Sequence, residues 1–372
     1  MKMILTEGYL QPGRSSGHLL RNLLAALAVF LPLFLTAQKG EEPETEIRYL
    51  SGTGYGDTVE WEFFCTAGRN SGKWSTIGVP SCWEQEGFGT YQYGIGFYGK
   101  ETAPGLADEQ GMYRHEFEVP EAWRDRRVRI VFDGSMTDTE VKINGQKAGP
   151  VHQGGFYRFR YDITDLLKFD RKNLLEVTVS KESSNASVNL AERRADYWNF
   201  GGIFRPVFLE ALPASFIDRT AIAARADGSF LAEVYLGSGS EEGLRVKAQL
   251  CDERGRPVGE PLSATPAPGS DKVILRGKFA GIRTWTAETP HLYRVRFTLL
   301  GKGLSRHVAE ERFGFRTFEV REGDGLYLNG QKIILKGINR HSFWPESART
   351  LNRELNYADV RLMKEMNMNA VR

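Results

Sequence analysis

Cysteine is scarce. Cys65, Cys82 and Cys251 are the only three in 372 residues, an odd number at uneven spacing. That excludes a closed disulfide framework, and the absence of a Cys-x-x-Cys pair excludes the common zinc and redox motifs. Buried free thiols acting as small hydrophobes are the expectation, with a Cys65–Cys82 bridge left open for an oxidising compartment. An excess of charge of one sign is also lacking. Forty-nine Lys and Arg face 47 Asp and Glu, for a net charge of +2. With no long basic run, no surface is prepared for a phosphate backbone. Hydrophobic runs are short. The longest, Leu23 to Leu35, spans 13 residues and contains Pro32, which falls below the roughly 20 residues of a membrane helix.

That run has a different reading. Arg14, His18 and Arg21 precede it and Thr36-Ala37-Gln38 follow. A basic region, an apolar core and a small residue at the exit describe a secretory signal. Residues 1–37 are assigned to it, with cleavage near Ala37 and a secreted or periplasmic destination. The acidic stretch Glu41 to Glu46 then reads as an exposed linker. A nucleotide loop is set aside as well. Gly94, Gly96 and Gly99 spell G-x-G-x-x-G, but aromatics interleave them and Pro104-Gly105 follows, where a phosphate site needs a strand before and a helix after.

What the chain does hold is 40 Gly, 22 Phe, 14 Tyr and 7 Trp, a composition for many short strands joined by tight turns. Its length allows two or three domains. From Gly56 to about Leu212 period-2 alternation dominates. Val128, Ile130 and Phe132 alternate with Arg127, Arg129 and Val131; Leu175, Val177 and Val179 alternate with Glu176 and Thr178; Asn144-Gly145 supplies a hairpin turn. One wet and one buried face imply an antiparallel sandwich, and a jelly roll over residues 38–212 is predicted. A second block of alternation covers residues 213–320, with Leu244 to Leu250 and Tyr293 to Leu299 as its clearest strands. An immunoglobulin-like sandwich fits it, and Pro261 to Ser270 reads as a loop. After Gly325 the pattern changes. Ile333-Ile334-Leu335 suits a strand buried on both faces. Ala358, Leu362, Met363 and Met366 recur at helical spacing, and Met368, Ala370 and Val371 open another apolar run. Strand, helix, strand is the opening of a parallel βαβ unit over residues 321–372.

Six segments together carry a family resemblance. They are Val79-Pro80-Ser81-Cys82-Trp83-Glu84 with Gly87-Phe88-Gly89; Met112-Tyr113-Arg114; Asp196-Tyr197-Trp198-Asn199-Phe200-Gly201-Gly202 through Val207; Trp285 through Tyr293; Gly314-Phe315-Arg316; and Leu335-Lys336-Gly337-Ile338-Asn339-Arg340-His341 with Met363-Lys364 through Arg372. In this order they resemble glycoside hydrolase family 2, the β-galactosidases, β-glucuronidases and β-mannosidases. The resemblance implies a jelly-roll sugar-binding domain, an immunoglobulin-like domain and the first strand–helix–strand of a (β/α)8 TIM barrel. It implies retaining, β-galactosidase-like hydrolysis of carbohydrate, with oligomers in the full-length form. Both catalytic glutamates would lie beyond Arg372, so the chain is expected to be the front portion of a longer enzyme. The alternative from another class is a non-catalytic carbohydrate-binding module.

Residues just past barrel strands face the active site. Asn339, Arg340 and His341 hold that place after strand 1 and Arg372 at the end of strand 2. By resemblance His341 contacts a sugar hydroxyl, Arg372 supports the pocket, and Asp196 reaches from the sandwich to the sugar. No cofactor is implied within the chain, although a sodium or divalent ion is implied for the full-length enzyme. Arg340 suits an ion pair equally well, and Trp83 and Trp198 suit either a sugar face or the core. The family's Asn after the early Trp motif is missing from Tyr91-Gln92-Tyr93-Gly94-Ile95, and its His-Glu is His341-Ser342 here.

Overall fold

The computed structural model describes residues 43–93, 108–194, 196–237 and 243–372. The secretory signal and the Gly94–Gly99 motif lie outside them. Among the described residues no helix is long and apolar enough to cross a membrane.

The first sandwich uses β1 (Glu46–Tyr49), β2 (Val59–Cys65), β3 (Trp74–Val79), β4 (Gln92–Tyr93), β5 (Gln110–Phe117), β6 (Arg127–Phe132), β7 (Asp138–Ile143), β8 (Gln146–Lys147), β9 (Phe159–Asp162), β10 (Asn173–Ser180), the short helix α1 (Ala186–Glu192), β11 (Trp198–Asn199) and β12 (Val207–Leu212). Its two sheets run β1-β12-β6-β9 and β3-β2-β5-β10-β7-β8, and β4 and β11 form a separate two-stranded ribbon. Alternation does what it predicts in β10, where Leu175, Val177 and Val179 are buried between the sheets against Val128, Ile130 and Phe132. Each such side chain contributes about 1.5–3 kcal/mol of apolar burial. Val131, expected on the wet face, is buried too. On that face Arg129 and Arg160 pair with Asp218 of the next domain at 2.6 and 2.9 Å.

The second sandwich comprises β13 (Phe216–Ala224), β14 (Ser229–Gly237), β15 (Arg245–Cys251), β16 (Pro257–Ala264), β17 (Lys272–Lys278), β18 (Tyr293–Gly301) and β19 (Leu304–Phe313). Sheets β13-β14-β17 and β16-β15-β18-β19 enclose Val234, Val246, Leu250, Val295 and Phe297, the immunoglobulin-like arrangement. The predicted loop at Pro261 to Ser270 is half wrong. Residues 261–264 continue β16, an edge strand beside β15, where a proline's missing N–H is tolerated.

His307 of β19 sits 2 % exposed at this domain's edge. The Ile217 N–H donates to its Nδ1 at 3.0 Å, so Nε2 carries the proton and faces Thr45 Oγ1 at 3.0 Å. A second proton would set N–H against N–H. Burial, aided by the charge of Arg126, lowers its pKa from 6.5 to about 4. Between those values the unfolded chain binds a proton that the folded chain refuses, so stability falls as pH falls. The full loss below pH 4 is on the order of 3 kcal/mol. Urea titrations at pH 7 and 4.5 should register it, and His307→Gln should flatten that pH dependence. An unaltered slope in the variant would refute the assignment.

The third part opens with a meander, β20 (Phe318–Arg321), β21 (Gly325–Leu328) and β22 (Gln331–Ile333). After it come β23 (Gly337–Ile338), α2 (Arg353–Glu365) and β24 (Ala370–Val371), with β23 parallel to β24. Here the prediction of a doubly buried strand at Ile333 to Leu335 fails. Ile333 ends a hairpin, and Ile334 and Leu335 are 77 % and 51 % exposed; the apolar run belongs to the link between β22 and β23. The helix begins at Arg353, ahead of the apolar spacing that starts at Ala358, because Asn352 caps it, its side chain accepting from Leu355 N–H at 3.0 Å. Of its apolar residues Met363 is buried, while Val360, Leu362 and Met366 are exposed.

Candidate functional site

The loop between β23 and α2, residues 339–352, folds back onto the jelly roll. Gln85 Nε2 donates to Pro345 O at 2.8 Å and Asn352 Nδ2 to Tyr55 O at 3.0 Å. Ala348 joins Cys82, Met136, Phe200 and Phe204 in a buried apolar cluster. Arg349, 8 % exposed, lays its guanidinium over Tyr197 at 4.8 Å and Phe156 at 5.2 Å, a cation–π arrangement made stronger by burial. These contacts bring residues 196–201 of the sandwich against the start of the barrel. The Tyr197 and His341 rings stand 6.0 Å apart, and Phe200 and Phe343 stack at 6.1 Å.

Below that junction lies a buried ionic network. Lys181, 0 % exposed, places Nζ 2.7 Å from Glu84 and 3.4 Å from Glu109, and also donates to Thr90 O. Both oxygens of Glu84 accept the Gly201 N–H at 3.1 Å. Arg193 donates to Lys181 O at 2.5 Å and Phe200 O at 2.6 Å. Burial pushes the Glu84 carboxyl above its ordinary range, against the opposing pull of Lys181. A charge in such a place persists only when paired and hydrogen-bonded. The network ties residues 84–90 to residues 199–201. No periodicity marks Lys181 in the sequence.

The candidates fare differently. Asp196 is exposed, and its carboxylate accepts from the Tyr93 hydroxyl. His341 is exposed beside Tyr197. Asn339 and Arg372 are exposed at the ends of β23 and β24, where the Arg340 N–H donates to Arg372 O and the Arg372 N–H to Ile338 O, each at 2.9 Å. Arg340 itself is engaged by α2, with Nε 2.6 Å from Asp359 and Nη2 2.9 Å from Asn356; the ion-pair alternative describes it. Trp83 is fully buried and has no face for a ligand. Trp198 is 39 % exposed. Cys65 and Cys82 are buried and unbridged. Asp196 does not by itself fit a cation site, since no described group of three His, Cys, Asp or Glu surrounds it or any other point, and no step is derived through an ion.

A jelly-roll sandwich, an immunoglobulin-like sandwich and the start of a strand–helix–strand unit, joined through this loop, are the parts in sequence order of a multidomain build. The chain belongs to glycosyl hydrolases family 2: that family's sugar binding domain matches residues 65–213, its second domain residues 215–316 and its TIM barrel domain residues 318–372. A putative beta-glucuronidase of Formosa agariphila is 26% identical over 307 residues, 82% of this chain and 35% of that protein. A beta-galactosidase of Photobacterium profundum is 31% identical, over 85% of this chain and 31% of its own length. The chain thus spans about a third of the length of these curated relatives. Among solved structures, a putative beta-galactosidase from Bacteroides fragilis superposes with a TM-score of 0.70 at 22% identity, over 88% of this chain and 49% of that one. A Bacteroides uniformis beta-glucuronidase gives 0.69 at 22%, over 88% and 39%.

Proposed function

We propose that the protein is an exported, retaining β-glycosidase of β-galactosidase type, and that residues 196–201 and 339–341 form part of the wall of its sugar pocket. The observation that carries this reading is the junction itself. The exposed Asp196 and His341 come from different domains and flank one aromatic seam, with Tyr197 and Phe200 on the sandwich side. A carboxylate accepts sugar hydroxyls, and an imidazole both donates and accepts, which is the dense hydrogen bonding that a pyranose requires. Retention needs two carboxylates about 5–5.5 Å apart, one acid/base and one nucleophile. In this reading both belong to later barrel strands. Export rests on the run Leu23 to Leu35 after its basic flank.

The test is a panel of nitrophenyl β-galactoside, β-glucuronide and β-mannoside, hydrolysed by the full gene product. Turnover should be fastest on the galactoside. His341→Ala and Asp196→Asn should each lower kcat/KM by roughly 10- to 100-fold, about 1.4–2.7 kcal/mol of transition-state stabilisation, with the melting temperature held. A polypeptide of these 372 residues alone should turn over none of the three. Hydrolysis by that polypeptide, or undiminished rates in both variants, would place the active site elsewhere.

A further inference from the structure

We propose that Arg349 is a positioning residue for His341, acting through the Tyr197 ring that both approach. The proposal rests on the glycosidase reading and adds to it a residue that works at one remove from the pocket wall. The jelly roll supplies a braced slot. Phe156 and Tyr197 stand 5.2 and 4.8 Å from the Arg349 guanidinium. Glu192 ties the two together: its backbone carbonyl accepts from the Tyr197 hydroxyl, and its carboxylate accepts the Gly155 N–H, next to Phe156, at 2.7 Å. The loop supplies a firm arm. The Trp344 N–H donates to Ala348 O at 2.8 Å, the Thr350 N–H to Ser347 O at 3.0 Å and the Ser347 hydroxyl to Thr350 O at 2.5 Å. Residues 344–350 are therefore one closed turn, with Arg349 near its end. His341 lies between this turn and Arg340, which α2 holds through Asp359 and Asn356. Its ring meets Tyr197 at 6.0 Å with the planes 51° apart. Asp196 is anchored separately, by the Tyr93 hydroxyl.

Charge separates Arg349 from ordinary loop packing. The side chain is almost wholly buried, yet among the described residues no carboxylate or carbonyl accepts from its guanidinium. A second guanidinium is close by, since Arg205 Nη1 donates to Phe156 O at 3.5 Å, and it adds like-charge repulsion. Burying a cation with no anion beside it is costly, and an apolar side chain would fill the slot at lower cost. A flat, weakly hydrated guanidinium does what an apolar group cannot. Cation–π attraction is directed at the face of the ring, so it fixes the plane of Tyr197 as well as its place. That plane sets the angle at which the ring meets His341.

The experiment is a double-mutant cycle in the full gene product, reading the melting temperature and kcat/KM on the nitrophenyl glycoside turned over fastest. Arg349→Met should lower kcat/KM about tenfold when His341 is present, the scale of a small misplacement. In a His341→Ala background it should lower kcat/KM by less than about twofold, because nothing is left to position. The melting temperature should fall equally in both backgrounds. Arg349→Lys keeps the charge without the flat face and should lose about threefold, again only when His341 is present; it decides the matter if the Met variant fails to fold. Gln85→Ala removes the loop's bond at Pro345 and should lower the melting temperature while leaving kcat/KM within about twofold. A tenfold loss that persists without His341 overturns the proposal. So do unchanged rates in both Arg349 variants, or a loss in Gln85→Ala equal to that in Arg349→Met. If His341→Ala alone costs nothing, the glycosidase reading of His341 fails and takes this inference with it, a pattern distinct from any failure confined to Arg349.

Discussion

Lys181→Met is expected to destabilise the jelly roll by about 3–5 kcal/mol, the range for removing one partner from a buried ion pair. Lys181 and Glu84 are 0 % and 2 % exposed and Glu109 is 1 % exposed, so the substitution leaves two carboxylates out of water without their cation. The methionine fills much the same volume, and the loss is therefore electrostatic. Two further results separate this from a packing defect. Adding Glu84→Gln should recover part of the loss, because one of the stranded charges is then gone. The penalty should also shrink as pH falls, because the carboxyl already pushed up by burial takes a proton and ceases to be an unpaired charge. The measurement is the urea midpoint at constant m-value. A shift worth less than about 1 kcal/mol would mean that water reaches the network.

Gly201→Ala is expected to be nearly as damaging, for a steric reason. A Cβ on Gly201 would sit 2.1 Å from Trp83 Cζ2, and the indole cannot retreat, since a Cβ on Gly111 would already be 2.6 Å from its Cζ3. Trp83 lies in a slot walled by glycines and packs on Phe63 at 6.1 Å. Overpacking of this kind costs roughly 1–3 kcal/mol, more where nothing yields; about 3 kcal/mol is expected here. The stack of Phe200 on Phe343 should shift too, because the adjacent Gly201 N–H is the group that Glu84 holds. Trp83→Phe in the same chain should relieve the clash and restore part of the stability. Thermal melts of the two singles and the double decide it. A double variant no more stable than Gly201→Ala would show that the indole is not the obstacle.

Much of the architecture was legible in the sequence because alternation and burial have the same period. Leu175, Val177 and Val179 announce an inward face without knowledge of their neighbours. The failures share one cause, that burial depends on what a distant segment does. Ile333-Ile334-Leu335 has the composition of a covered strand, yet a tight hairpin at Asn329-Gly330 takes Ile333 into an antiparallel pair and leaves the next two residues as linker. Asn352 caps a helix whose apolar spacing starts only at Ala358. At the junction, the two alternatives for Arg340 could be read, and Asp359 and Asn356 of the helix decide for the ion pair. Lys181 could not: a lysine at a strand end normally signals solvent, and only the arrival of Glu84 and Glu109 from two other segments makes burial possible. Likewise Trp83 and Trp198 look alike as letters; glycines around one and a two-residue ribbon under the other send the first inward and the second out.

The clamp between the jelly roll and the loop at residues 339–352 also carries a kinetic consequence. Asn352 and Tyr55 are separated by 297 positions and Gln85 and Pro345 by 260, so these are contacts of very high order, which form slowly. At synthesis rates of about 5–20 residues per second, the sandwich emerges on the order of ten seconds before the loop that covers Cys82 and Phe200. The jelly roll must therefore reach its own fold first and wait with that apolar patch open, and docking of the loop is a late event in the maturation of the chain. A chaperone that shields exposed apolar surface would find its natural client in that interval.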